Sequence, residues 1–164
     1  MDGGHQEGAM RGGTENVAGI VAMAAAAREA CENMASDAAR IAALRDELER
    51  GIAEEIADTC VNGEAPRVPG TLNVSFAGVD SASLVELLDE RGVCAAGGSA
   101  CSSHEGEPSH VLVAMGLPSE RTQSALRFSL SNETTEGDIA YTIRALKACC
   151  EQLQPFALLD FSSF

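Results

Sequence analysis

A thiol, Cys101, stands in the run AAGGSACSSHEGEPSH, residues 95–110, among alanine, glycine, serine, glutamate and histidine. Thiolate is the nucleophilic form of cysteine, and a neighbouring histidine or a helix N-terminus favours it. His104 is near in sequence, but nearness in sequence does not establish a contact. Most single cysteines act as small buried hydrophobes, yet this run is too polar and glycine-rich to bury its backbone. Composition alone leaves two readings open, a reactive thiol and an idle thiol on a loop.

Arg127 is the second candidate. It alternates against Leu126 and Phe128 in SALRFSLS, on the face shared with Ala125 and Ser129. A guanidinium there suits a carboxylate or phosphate, because its planar fork pairs bidentately. A structural salt bridge to one of the many acidic side chains is the simpler alternative, and spacing alone favours it. Thr14 is the third, in RGGTENVAGIVAMAAAAREACENM. As an N-cap it would open a helix whose free N–H groups and positive dipole end favour an anion. A well-capped helix with no ligand explains the same residues. Metal is not expected. Cys101, His104 and His110 could be offered as ligands, but a structural zinc site wants four ligands, commonly including a C-x-x-C pair, and none occurs here.

Length and composition limit the function classes. The chain has 164 residues, enough for one domain, and a formal net charge of -14. That charge opposes binding to nucleic acid or anionic membrane, since both are polyanions. No basic region followed by an apolar run opens the chain, and the apolar run 17–27 is too short to span a bilayer. Six cysteines without regular spacing and no export signal suggest free thiols in a reducing cytoplasm. In the adjacent pair Cys149-Cys150, one is expected to face the core and the other to lie beside it.

These residues need elements to hold them. The pattern predicts a helix from Thr14 to about Met34, then a second helix capped by Ser36 or Asp37 and ending near Cys60. Its apolar stripe is Ile41, Leu44, Leu48, Ile52 and Ile56. Prolines and glycines break the chain in VNGEAPRVPG. TLNVSFA alternates as a half-buried strand, with Leu72, Val74 and Phe76 on one face. Ser81 or Ser83 caps a short helix stopped by Gly92. VCAA reads as a short strand, a helix opens at Pro108, SALRFSLS is a third alternating strand, and a final helix buries Ile139, Ile143 and Leu146. The tail QPFALLDFSSF is expected either to dock on the body or to bind a partner, docking being the simpler reading. Strands separated by helices with one-sided alternation predict an α+β layer, a small sheet covered on one face.

Together the segments resemble the C-terminal part of a cysteine desulfurase, a pyridoxal-phosphate enzyme of the class V aminotransferase group. GGHQEGAMRGGTENVAGI is similar to the family's glycine-rich segment leading into a long connecting helix, and RVPGTLNVSF to its first small-domain strand. GGSACSSHEGEPSHVLVAMGL resembles the catalytic-cysteine loop of the subgroup with the longer loop, and ALRFSLSNETTEGDIAYTI the substrate-arginine strand and closing helix. The four matches occur in family order. The fold implied is the small C-terminal domain of a fold-type-I enzyme, a mostly antiparallel sheet of three to four strands with a long N-terminal helix. Residues 1–14 would be a remnant of the cofactor domain, 15–34 the connecting helix, and 35–164 the small domain, with the cysteine loop at 97–109.

The resemblance also implies roles. Cys101 matches the nucleophile that takes sulfur from L-cysteine as a persulfide and releases L-alanine. Arg127 matches the arginine that grips the substrate carboxylate. Thr14 matches the position that reaches the cofactor phosphate of the other subunit in a homodimer. Asn73 matches a strand asparagine to which no role is assigned. Expected partners are L-cysteine and a sulfur-acceptor protein, an iron–sulfur scaffold or a thiolation relay. Gly97 departs from the family's usual serine and Ser131 from its frequent glycine. A larger departure is Lys147, the chain's single lysine, which lies on the polar side of the last helix rather than in a cofactor motif. The chain is therefore expected to be a piece of the enzyme that binds no pyridoxal phosphate stably and is inactive alone. A stand-alone sulfur carrier or docking module, and an inactive remnant, are the alternatives.

Overall fold

A computed structural model of the chain describes residues 4–10, 12–97 and 109–157, with backbone only for 154–157. Cys101, His104 and most of the expected 97–109 loop lie outside the described residues, as does the end of the tail whose docking was expected. The chain divides into two compact units, Met1–Asp37 and Ala38–Phe164.

In the first unit, helix α1 begins at Val17. Its cap is Asn16, whose Oδ1 accepts from the Gly19 N–H at 3.1 Å. Thr14, the expected cap, lies two residues earlier and is exposed. An amide two bonds from the backbone satisfies the orphan N–H as well as a hydroxyl does, so the neighbouring asparagine takes the role. Val17, Ile20, Val21, Met23 and Met34 remain half or more exposed.

Helix α1 runs unbroken through Val17–Glu55, where the sequence predicts two helices. Ser36 was expected to cap the second. Its hydroxyl instead donates backward to the Asn33 carbonyl at 2.9 Å, a bond that a mid-helix serine makes without interrupting the turn.

The second unit carries strands β1 (Thr59–Val61), β2 (Thr71–Phe76), β3 (Ala96–Gly97) and β4 (Ala125–Ser129). Its helices are α2 (Ser81–Asp89), α3 (His110–Ala114), α4 (Ser119–Gln123) and α5 (Glu136–Ala157). The four strands form one antiparallel sheet in the order β1-β2-β4-β3, an α+β architecture. In β2, Leu72, Val74 and Phe76 are buried, facing Phe128 and Leu126 of β4 in register. Leu44, Leu48 and Ile52 of α1, Leu84 and Leu88 of α2, and Ile139, Leu146 and Cys149 of α5 join them in one core. Each such aliphatic side chain contributes about 1.5–3 kcal/mol by leaving water. Gly51 lets α1 approach α5, because a Cβ there would collide with Ile143.

Caps explain most element ends. Asp80 accepts from the Ser83 N–H at 2.9 Å and starts α2, so the cap is neither Ser81 nor Ser83. Gly92, at φ 74°, stops it as expected, with the Val93 N–H returning to the Leu88 carbonyl. Thr135 and Asp138 cap α5 reciprocally through side chain and backbone. The Thr135 hydroxyl, donating to Asp138 Oδ2 at 2.7 Å, and then the Thr135 N–H hold the Asp138 carboxyl below the usual range. Helix α1 stops at Glu55 rather than near Cys60, and the end of the expected helix is strand β1 instead, paired with β2. Helix α4 and a 3-10 turn at Gln6–Ala9 were not foreseen, and β3 lies later than the VCAA strand expected.

Candidate functional site

The outer face of the sheet holds the candidate site. Burial of Leu126 and Phe128 turns Arg127 to the opposite side, where it is exposed. It stands in register between Asn73 of β2 and Ala96 of β3. Among the described residues Arg127 makes no hydrogen bond or ion pair, so the structural salt bridge weighed from sequence is not found there. It lines a cleft of about 260 Å³ with Asn62, Thr71, Asn73, Ser109 and Met115. The cleft has apolar walls from α3 and a polar floor from the strands.

A hydrogen-bond network underlies that floor. Arg121 of α4 donates from Nε to Asn62 Oδ1 at 2.7 Å and from Nη2 to the Val61 carbonyl at 2.8 Å. Asn62 Nδ2 donates to Asn73 Oδ1 at 2.7 Å and to Ser75 Oγ at 2.8 Å. The Ser75 hydroxyl donates to the Arg121 carbonyl at 2.7 Å and closes the ring. Asn62 and Ser75 are 7% and 3% exposed, and buried polar groups are stable only when paired in this way.

The described residues that flank the segment bearing Cys101 are Gly97 and Ser109. Ala96, opposite Arg127, belongs to the last described strand before it. Ser109, the first described residue after it, lines the cleft. A Cβ at Gly97 would stand 3.1 Å from Ser81 Oγ, so that hydroxyl would have to give by a few tenths of an ångström. Thr14 belongs to the other unit and makes no hydrogen bond among the described residues. His110 is exposed at the start of α3. Among the described residues no group of three or more His, Cys, Asp or Glu could hold a metal ion, and no helix is long and apolar enough to cross a membrane.

The remaining thiols and the lysine are set apart from the cleft. Cys31, Cys60 and Cys94 are exposed, whereas Cys149 and Cys150 are both buried; the sequence reading expected only one of the pair to face inward. Burial pushes both thiols up, Cys150 to about 12 with help from Cys149 and Glu151. Lys147 Nζ pairs with Glu55 Oε2 at 2.7 Å, both side chains about half exposed. That hydrogen bond and charge lower Glu55 and raise Lys147.

Sequence reasoning brought out Arg127 but missed Asn62, Ser75 and Arg121. The signal in the sequence was slight: Asn62 reads as part of a turn before Gly63, and Arg121 as one charge in a short polar stretch.

Comparison with known proteins follows the same lines. A family model described as aminotransferase class-V matches residues 4–141. A cysteine desulfurase of Gluconacetobacter diazotrophicus is 43% identical over 138 residues, 84% of this chain and 34% of that protein. Cysteine desulfurase NifS of Azotobacter vinelandii is 40% identical over 155 residues, 94% of this chain and 39% of that protein. A solved NifS-like protein matches 93% of this chain and 38% of its own, with a TM-score of 0.79 and 30% identity. A NifS-like protein from Rickettsia africae matches with a TM-score of 0.77 and 28% identity, over 92% of this chain and 39% of its own. The chain thus spans between a third and two fifths of the length of these relatives.

Proposed function

Because the chain belongs to the aminotransferase class-V family, we propose that it is the substrate- and sulfur-handling portion of a cysteine desulfurase. Arg127 grips the substrate carboxylate, and Cys101 accepts the substrate sulfur. The observation that carries this reading is an arginine with no partner among the described residues, in a cleft that is also lined by Ser109, which follows Cys101 in sequence.

The chemistry is thiolate attack on sulfur. The Cys101 thiolate attacks the sulfur of L-cysteine, an S–S bond forms, and the substrate carbon–sulfur bond breaks. Its electron pair stays on carbon, which takes a proton. Net, Cys101 thiol and L-cysteine become Cys101 persulfide and L-alanine.

The family's cofactor, pyridoxal phosphate, needs a lysine in a desolvated pocket for its Schiff base. The single lysine, Lys147, is half exposed and paired with Glu55. The described residues therefore do not fit the cofactor ring, and its chemistry falls to a part of a longer protein. Thr14, exposed ahead of α1, is the residue proposed to reach the cofactor phosphate of the other subunit in a homodimer. The exposed apolar side chains of α1 between Val17 and Met34 suit a surface that another body covers. The sulfur acceptor is proposed to be an iron–sulfur scaffold or a thiolation relay in the cytoplasm.

The chain mixed with pyridoxal phosphate and L-cysteine is expected to release no L-alanine; release would overturn the proposed dependence on a further part. Supplied with the lysine-bearing part of a desulfurase, pyridoxal phosphate and L-cysteine, it is expected to release L-alanine, and Cys101→Ser is expected to abolish that release; release by Cys101→Ser would remove Cys101 from the sulfur-accepting role. A sulfur adduct gained on Cys101 from a separate active desulfurase would favour the stand-alone carrier instead.

A further inference from the structure

Arg127 is not the only donor aimed at its cleft. From the hydrogen-bond ring beneath it, we infer that Asn73 is a second carboxylate-binding residue, its side-chain N–H₂ completing with Arg127 a two-residue clamp. This rests on the proposed role of Arg127 and adds a binding group to it.

The orientation of the Asn73 amide follows from chemistry alone. An arginine Nε has a proton and no lone pair to offer, so the Asn62 atom 2.7 Å from Arg121 Nε must be oxygen. Asn62 then turns its N–H₂ toward Asn73 and Ser75. The Ser75 hydroxyl, which receives one of those protons, passes its own to the Arg121 carbonyl. The Asn73 atom receiving the other, at 2.7 Å, must in turn be oxygen. Each amide is thereby fixed by the one before it, starting from a group that cannot accept.

What remains is the Asn73 nitrogen. It has no hydrogen-bond partner among the described residues. Asn73 is only partly buried and lines the same cleft as Arg127. The two are directly opposed across antiparallel strands, where Cβ atoms stand about 4.5–5.5 Å apart and side chains share a face. A cation and a neutral donor so placed suit the two oxygens of one carboxylate, and Leu112 of α3 with Met115 just beyond it lines one side of the cleft with apolar groups. Had the ring been assembled the other way round, Asn73 would present an oxygen and repel the same ligand.

The test uses the 164-residue chain with L-alanine as probe and L-alaninamide, which lacks the carboxylate, as control. Nitrogen–proton correlation spectra follow the Asn73 side-chain N–H₂ pair and the Arg127 Nε–H during titration. L-Alanine is expected to shift both and L-alaninamide neither. Asn73→Ala should weaken L-alanine binding roughly tenfold, as expected for losing a hydrogen bond to a charged group. The Asn73 N–H₂ signals are the readout that a purely supporting role would leave still, since Asn62 contacts only the Asn73 oxygen.

Unchanged affinity in Asn73→Ala, with loss in Arg127→Ala, would overturn the clamp and leave the reading of Arg127 standing. Unchanged affinity in both would overturn the reading itself. Should Asn73→Ala fail to fold by circular dichroism, the parent's Asn73 signals decide. If they move with L-alanine alone the clamp stands, and if they stay still it falls.

Discussion

On the helix side of the sheet, Leu72, Val74 and Phe76 of β2 join Leu126 and Phe128 of β4 in the hydrophobic core. On the other side, the alternate residues of the same strands, Asn73, Ser75 and Arg127, face α3 and α4 across a hydrogen-bonded floor. The apolar side is held by non-directional burial, which is satisfied by any close packing of the right volume. The polar side is held by directional bonds, each of which determines which atom its neighbour must present. Stability therefore concentrates on one face, while the other can keep a donor and a cation free for a ligand.

The sharpest way to break this comparison is to truncate adjacent residues of one strand. Leu126→Ala should cost about 2–5 kcal/mol of unfolding free energy, whereas Arg127→Ala should stay within about 0.5 kcal/mol. Urea titration followed by circular dichroism reads both. Equal losses would mean that the outer face also carries the fold.

Asn62→Ala probes the polar floor and should fall between these values. It leaves Arg121 Nε and Asn73 Oδ1 without partners, at a cost of about 1–3 kcal/mol. The same titration checks it, with Asn73 side-chain signals expected to lose their single fixed environment.

Alkaline pH tests the apolar side from a different direction. Folding raises the Cys150 thiol from an ordinary 9.0 to about 12, so the folded chain holds a proton that the unfolded chain releases. Its contribution is complete below about pH 9 and is lost as pH rises from there toward about 12. Urea midpoints measured across that range should decline, and less steeply in Cys150→Ala. In thiol labelling of the folded chain, Cys31, Cys60 and Cys94 should react while Cys149 and Cys150 wait for unfolding.

The smallest effect belongs to the surface pair. Glu55 and Lys147 each shift the other's titration toward the charged form. Their link is lost as pH falls through the lowered Glu55 value or rises through the raised Lys147 value. Lys147→Met is expected to leave the urea midpoint and L-alanine binding unchanged, since exposed pairs contribute little.

Much of the inner face was legible in advance. The period of two in TLNVSFA and SALRFSLS marked both central strands and the sides their apolar residues take. The helical spacing of Leu44, Leu48 and Ile52 likewise marked the part of α1 that packs in the core. Local signals misled where two structures compete for the same residue. Ser36 and Asp37 look like a cap, yet the serine bonds backward to Asn33 and the helix continues. β1 was invisible because three residues carry no period, and its pairing with β2 decides their state. Helix α4, five residues long, likewise falls below any pattern.

Sequence by itself determined which strand residues share a face with Arg127 and that Cys101 sits in a run unsuited to burial. It also determined that the chain's single lysine lies far from any cofactor motif, because residue type and alternation are properties of the chain read locally. Only the tertiary structure decided that Arg127 has no partner among the described residues and that Asn73 stands opposite it. The orientation of the Asn73 amide was likewise settled there, by Arg121 almost fifty positions away. Hydrogen-bond direction passes through contacts between residues distant in sequence, and no local pattern encodes which distant donor will arrive.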